Sequence, residues 1–149
     1  MRDADAVEIV SWEEAATALR VVRTAVFIRE QQVPEELEWD QFDAVSVHAL
    51  VVNNAGQPVG TARLLPDGHI GRMAVLKEWR GQGLGSALLT RLLQVLVKRH
   101  QFQAQLHAQT SAISFYKKFG FEIAEEEFIE AGIPHVKMTL SIKQSILTI

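Results

Sequence analysis

A chain of 149 residues, 48% hydrophobic and without a long linker, is sized for one globular domain, residues 1–149, around one core. Its formal net charge of −3, with no continuous basic tract, zinc-finger spacing or aromatic RNA-binding motif, argues against a nucleic-acid partner. The absence of cysteine excludes disulfides, thiolate metal ligands and a cysteine acyl-enzyme. The five histidines contain no His-Glu-x-x-His arrangement, so no metal is expected.

In chain order, Val7 to Val10 reads as a first strand. Ser11 caps a helix from Glu13 to about Phe27, with Glu14 completing a capping box and Ala15, Leu19, Val22 and Val26 on one side. Ile28 to Asp43 is polar and broken by Pro34, and reads as a loop with one helical turn. Strands follow at Ser46 to Asn53 and Pro58 to Leu65, joined by the turn Asn54-Ala55-Gly56-Gln57. Pro66-Asp67-Gly68 turns the chain into a strand from His69 to Leu76. Leu84, Leu88, Leu92, Val95 and Leu96 give the next helix a buried stripe ending near His100. Gln103 to Gln109 reads as a strand, then Ser111 to Gly120 as a short helix with Ser111 as N-cap and Gly120 as C′ residue. Phe121 to Glu125 is extended, Phe128 to His135 is a turn-like insertion, Val136 to Ile142 is a last strand, and residues 143–149 continue as a tail. Around Arg2, Asp3, Asp5 and Glu8 there is no apolar secretory core, and no apolar run spans a membrane, so a cytoplasmic protein without a membrane partner is expected.

The most informative stretch is Arg80-Gly81-Gln82-Gly83-Leu84-Gly85-Ser86, where a strand meets a glycine-rich turn that opens into an amphipathic helix. Glycine removes the Cβ that would hold a phosphate off the backbone, and the first N–H groups of a helix have no intrahelical acceptor. Those donors, the positive end of the helix and the Arg80 guanidinium favour a pyrophosphate at one point. No Gly-Lys-Ser/Thr ending supports a Walker A loop, and the even glycine spacing past mid-chain does not fit the dinucleotide fingerprint. Arg80-x-x-Gly83-x-Gly85 resembles the coenzyme A loop of the Gcn5-related N-acetyltransferases, the GNAT superfamily. Ala112, Tyr116 and Gly120-Phe121 are similar to its second signature, with Gln109 standing where the family usually has Asn. Val26 to Pro34, Glu38-Trp39-Asp40, Asp43, His48 and Gly132-Ile133-Pro134-His135 further resemble the small bacterial ElaA/YjcF-type members.

The resemblance implies an α/β (α+β) GNAT fold: a central mixed, mostly antiparallel twisted sheet of about six to seven strands flanked by about four helices. It implies acetyl-CoA as cosubstrate, with Met73, Ala74 and Val75 pairing with the pantetheine as an added strand. Arg80, Gly81, Gln82, Gly83, Leu84, Gly85 and Ser86 would hold the pyrophosphate, and Gln109 and Tyr116 would lie beside the coenzyme. The backbone N–H of Met73 becomes the oxyanion donor, and Tyr116 the general acid that protonates the leaving thiolate; a phenol at pKa about 10 lies close to a thiol at about 8.5. Transfer would be direct, to the amine of a small molecule or an exposed amino group. Candidates for the proton acceptor are Glu36, Glu38, Asp40, His48 and His135, with Glu38 and His135 also flanking the acceptor beside Arg29 and Glu30. His48 reads as structural, and the charges from Glu35 to Asp40 either solvate a loop anchored by Trp39 and Phe42 or attract a cationic amine. An inactive acyl-CoA sensor on the same fold and a phosphate-binding domain of a different α/β enzyme are the alternative functions, and a homodimer is consistent with the resemblance.

Overall fold

The computed structural model describes residues 6–142; the expected tail at 143–149 lies outside the described residues. Strand β1 (Glu8–Ser11) passes directly into helix α1 (Trp12–Arg23). The entry is fixed locally, since Ser11 Oγ accepts from Glu14 N–H at 3.1 Å and the Glu14 carboxylate accepts from Ser11 N–H at 2.9 Å. The helical path then continues as a π-helical segment, Thr24–Glu30, through the start of the expected loop. Its Val26 and Phe27 pack with Val22, Val33 and Ala74 in a small second core. Helix α2 (Glu35–Glu38) supplies the expected single turn.

Strands β2 (Val47–Val52), β3 (Pro58–Leu64) and β4 (His69–Val75) form an antiparallel meander with β1 on its edge. Helix α3 (Leu84–Lys98) crosses back and lays Leu84, Leu88, Leu92 and Leu96, each at most 2% exposed, on the main core. Strand β5 (Gln103–Gln109) joins β4 in parallel, and helix α4 (Ile113–Lys118) follows a 3₁₀ turn at Thr110–Ala112. That turn displaces the expected cap: α4 starts after Ala112 with no side-chain cap, so Ser111 does not serve, whereas Gly120, at φ +99°, takes the C′ position as expected.

Strands β6 (Glu122–Ile123), β7 (Phe128–Glu130) and β8 (Ile133–Ser141) complete an eight-stranded sheet in the order β1-β2-β3-β4-β5-β8-β6, with β7 also on β8. The expected insertion at Phe128 to His135 is instead a hairpin. Ala131 and Gly132 both take positive φ, as a two-residue turn requires, and Pro134 is tolerated opposite Ile129 on a three-residue edge strand.

A layer of buried charge underlies the sheet. The Arg23 side chain, fully buried, reaches Glu38 Oε2 and Asp43 Oδ1, both at 2.7 Å, and its guanidinium lies under the rings of Trp12 and Trp39. Arg63 adds bonds to Asp40 at 2.8 Å and Asp43 at 3.0 Å, and Arg72 reaches Glu38 at 3.1 Å and Asp40 at 3.3 Å. Three arginines therefore face three carboxylates, and the acidic stretch divides: Glu35 and Glu36 are exposed while Glu38 is buried. Burial pushes the Glu38 carboxyl above its usual range against the pull of Arg72 and Arg23. For Asp43, burial acts the same way but the bonds from Arg23 and Arg63 outweigh it and hold the carboxyl low. Breaking such a layer from one side strands the opposite charges. Arg23→Met is expected to lower unfolding free energy in urea by about 3–5 kcal/mol; a loss under about 1 kcal/mol would show that the layer does not hold α1 to the sheet.

Candidate active site

Two glycines in the left-handed region, Gly81 at φ +79° and Gly83 at φ +83°, bend the chain out of the 3₁₀ turn Lys77–Trp79 and into α3. Gly83 is the N-cap and contributes no side-chain bond, and there is no acidic residue in the first turn. The first backbone bond closing on that cap is Ala87 N–H to Gly83 O at 3.0 Å, so Leu84, Gly85 and Ser86 present N–H groups ahead of it. Helix α1, by contrast, has both capping-box bonds made. A Cβ on Gly81 would meet nothing within 4 Å, and one on Gly85 would touch only the Phe115 ring, at 3.5 Å. This long, uncapped helix start with open space before it fits the diphosphate of a coenzyme.

Arg80 borders the turn but is engaged. Its two terminal nitrogens each donate to Glu30 at 2.7 Å, and Nε donates to Val75 O at 2.9 Å. The expected acceptor-side Glu30 and the expected cradle residue Arg80 are thus in direct contact, and an anion that takes the Arg80 guanidinium does so in exchange for Glu30. Arg29 lies beside this pair at the end of the π-helical segment.

The parallel register of β4 with β5 consists of His69 with Gln105 and Ile70 with Leu106. Beyond Ile70 the strands part. On the other side of β4, Arg72 and Met73 together face Ala62 in a bulge at which Arg72 takes φ +48°. The wedge so opened leads into a cavity of about 660 Å³ lined among others by Gln31, Met73, Gln109, Tyr116 and His135.

Tyr116 projects into this wedge from α4, its hydroxyl 3.8 Å from Met73 Sδ and its ring edge-on to Phe115 and Phe121. Burial pushes its phenol up to about 12. The gap to a thiol is therefore wider than a free tyrosine suggests, and the group stays protonated across the neutral range. Gln109, where the family pattern has Asn, exchanges side-chain bonds with Gln31.

The five proton-acceptor candidates separate. His48 is fully buried, bonded through Nε2 to Asp43 O at 2.9 Å and held below its ordinary pKa by burial, as suits a structural residue. Glu36 is exposed on α2, and Asp40 and Glu38 belong to the arginine layer. His135 differs: its Nδ1 lies 2.7 Å from Ile133 O, which can only accept, so Nδ1 carries the proton and Nε2 is left as an acceptor at the cavity wall.

Residues 10–142 match the family model described as an acetyltransferase (GNAT) domain. The chain belongs to the GNAT acetyltransferase family. It is 39% identical over 130 residues to YyaT of Bacillus subtilis, an alignment covering 84% of this chain and 88% of YyaT. It is 40% identical over 121 residues to the Bacillus subtilis protein YjcF, named as an N-acetyltransferase, covering 78% and 86% of the two chains. The crystal structure of Escherichia coli ElaA superposes with a TM-score of 0.80 at 28% identity over 91% of this chain and 99% of ElaA. An acyl-CoA N-acyltransferase from Pseudomonas aeruginosa superposes equally well, at 29% identity. This GNAT member is an acyl-CoA-dependent N-acetyltransferase.

Several residues of the acetyltransferase's cavity carry no signal in the sequence. Asp67, His69, His107 and Glu130 come together only through the long-range pairing of β4 with β5 and of β8 with β5 and β7, and Gln31 joins them through its bonds to Gln109. Among the described residues no group of His, Asp and Glu side chains is arranged to hold a metal ion, and no helix is long and apolar enough to cross a membrane.

Tyr116 is the only tyrosine, so phenolate absorbance near 295 nm reports it alone. The folded protein is expected to titrate near pH 12 and the urea-unfolded chain near pH 10. Because the folded value is the higher one, this group's contribution to stability is whole below pH 10 and is lost as pH rises through 12. A folded midpoint near 10 would mean that the hydroxyl faces open water.

Proposed function

We propose that this protein transfers an acetyl group from acetyl-CoA directly to the amine of a small molecule or an exposed amino group. The observation carrying this reading is the alignment of the uncapped start of α3, the wedge between β4 and β5, and the Tyr116 hydroxyl beside Met73.

The cosubstrate supplies an activated thioester. In this reading Leu84, Gly85 and Ser86 N–H groups donate to its diphosphate, with Arg80 beside them, and the open side of β4 from Met73 to Val75 pairs with its pantetheine arm. The acceptor nitrogen enters from the cavity, forms a C–N bond to the acetyl carbon, and gives its proton to His135 Nε2. Met73 N–H donates to the oxyanion of the tetrahedral intermediate. As that intermediate collapses, the C–S bond breaks and the departing sulfur takes the Tyr116 proton. A phenol held near 12 transfers that proton late, and its main contribution is a hydrogen bond that strengthens as charge grows on sulfur. With no cysteine in the chain, no thiol acyl-enzyme intervenes. His135 is preferred to Glu38 as proton acceptor because the Glu38 carboxylate is already engaged by Arg23 and Arg72.

The test is thiol release from acetyl-CoA across a broad amine panel, with coenzyme affinity measured by calorimetry. Tyr116→Phe is expected to lower kcat at least tenfold with less than a twofold change in acetyl-CoA affinity. An unchanged kcat would remove Tyr116 from the reaction. Tight acetyl-CoA binding without thiol release for any amine would replace this function with that of an acyl-CoA sensor.

A further inference from the structure

The end of the cavity remote from Tyr116 has a chemistry that the transfer reaction does not use. His69 Nδ1 lies 2.9 Å from Asp67 Oδ1, and His107 Nδ1 lies 2.9 Å from Glu130 Oε1. The bond with His69 holds the Asp67 carboxyl below its usual range, so the acid is ionised and accepts the Nδ1 proton. Glu130 Oε1 stands in the same position toward His107 Nδ1. In the neutral form of each imidazole the Nδ1 proton points at its carboxylate and Nε2 is the ring nitrogen left to accept. His135, whose Nε2 the transfer reaction uses, borders this end, with that nitrogen 3.9 Å from Glu130 Oε2.

This wall accepts hydrogen bonds and carries two carboxylates, Asp67 and Glu130, whose side-chain partners among the described residues are imidazoles. Arg63, opposite Gly71 on β3, and Arg72 belong to the layer in which three arginines meet Glu38, Asp40 and Asp43, so their charge does not offset it. A surface that only accepts is complemented by a ligand end that only donates, and an ammonium has three donors and no acceptor. A carboxylate on the same ligand end would meet repulsion here.

We propose that this wall is a second cation subsite and that the acceptor is a linear diamine or polyamine whose two cationic nitrogens lie roughly 10 Å apart. The spacing comes from the strands. His69 precedes Met73 by four residues on β4, one of them the extra residue of the bulge, so about three steps of 3.3 Å put the subsite on the order of 10 Å from the acyl position. Between the two ends β4 presents Gly71, where a Cβ would meet nothing within 4 Å, which leaves a trough for an alkyl chain beside Leu65 and Ile70. The assignment of the reacting end rests on the acetyltransferase reading above.

The experiment is calorimetric titration of 1,7-diaminoheptane and of heptylamine into the protein, with and without saturating CoA. The diamine is expected to bind at least tenfold more tightly than the monoamine. Glu130→Gln and Asp67→Asn should each reduce that preference at least threefold, and Gly71→Leu, which fills the trough at a position of ordinary φ, should weaken diamine binding without changing CoA affinity. Equal affinity for the two amines, or a preference unchanged in Glu130→Gln, would overturn the subsite whether or not the protein turns over acetyl-CoA. Failure of CoA itself to bind would instead refute the acetyltransferase reading, while the titrations without CoA would still read the wall.

Discussion

Strand β4 cannot stay paired on both sides along its length, and most of the site follows from that. Its parallel register with β5 covers only His69 and Ile70 before the strands diverge, while the bulge at Arg72 and Met73 re-aims the outer half of β4. A diverging parallel pair leaves a row of main-chain groups facing an opening instead of a partner. In the interior of a sheet this costs stability unless something else supplies the bonds, and a ligand with amide groups is well suited to do so. Helix α3 begins just beyond that opening and α4 overhangs it, so one break in the sheet brings together a strand edge, a helix N-terminus and the Tyr116 phenol.

Arg72 connects the opening to the buried charge layer. A non-glycine residue at φ +48° is strained and persists only where its surroundings fix it. The Arg72 side chain is fixed by Glu38 Oε2, Asp40 and the carbonyls of Leu37 and Glu38. Glu38 is in turn set by Arg23, which α1 carries under two tryptophan rings. The charge layer thus does two things at once: it ties the α1 segment to the meander, and it holds the bulge that shapes the cavity floor. Its charges balance, so it adds little field to the cavity, and the unbalanced carboxylates Asp67 and Glu130 set the polarity of the far wall.

What was legible in the sequence was local. Ser11 with Glu14, the left-handed glycines before α3 and the four-residue leucine stripe behind them each depend on neighbours within a turn or two, and each stands where the pattern places it. The π-helical segment Thr24 to Glu30 is not legible, because the core partner of Val26 and Phe27, Ala74, lies on a strand distant in sequence. Arg23 is hidden for a related reason: a periodicity count treats arginine as a solvent-facing residue, whereas its partners Glu38 and Asp43 make it a core residue. Pro134 masks the β7 and β8 hairpin, since a proline demotes a strand unless it falls on an edge. The far wall of the cavity is beyond local reading altogether, with His69 and His107 on separate strands and Gln31 bonded to Gln109 across 78 residues.

The central claim is that the coenzyme lies along the open side of β4 with its diphosphate at the start of α3. Amide hydrogen exchange followed by mass spectrometry, with and without acetyl-CoA, tests it directly. The account predicts that bound acetyl-CoA slows exchange in two segments, residues 71–75 and 81–87, and leaves β1, β2 and β3 unchanged. Protection confined to other segments, with these two exchanging as fast as in the free protein, would contradict it.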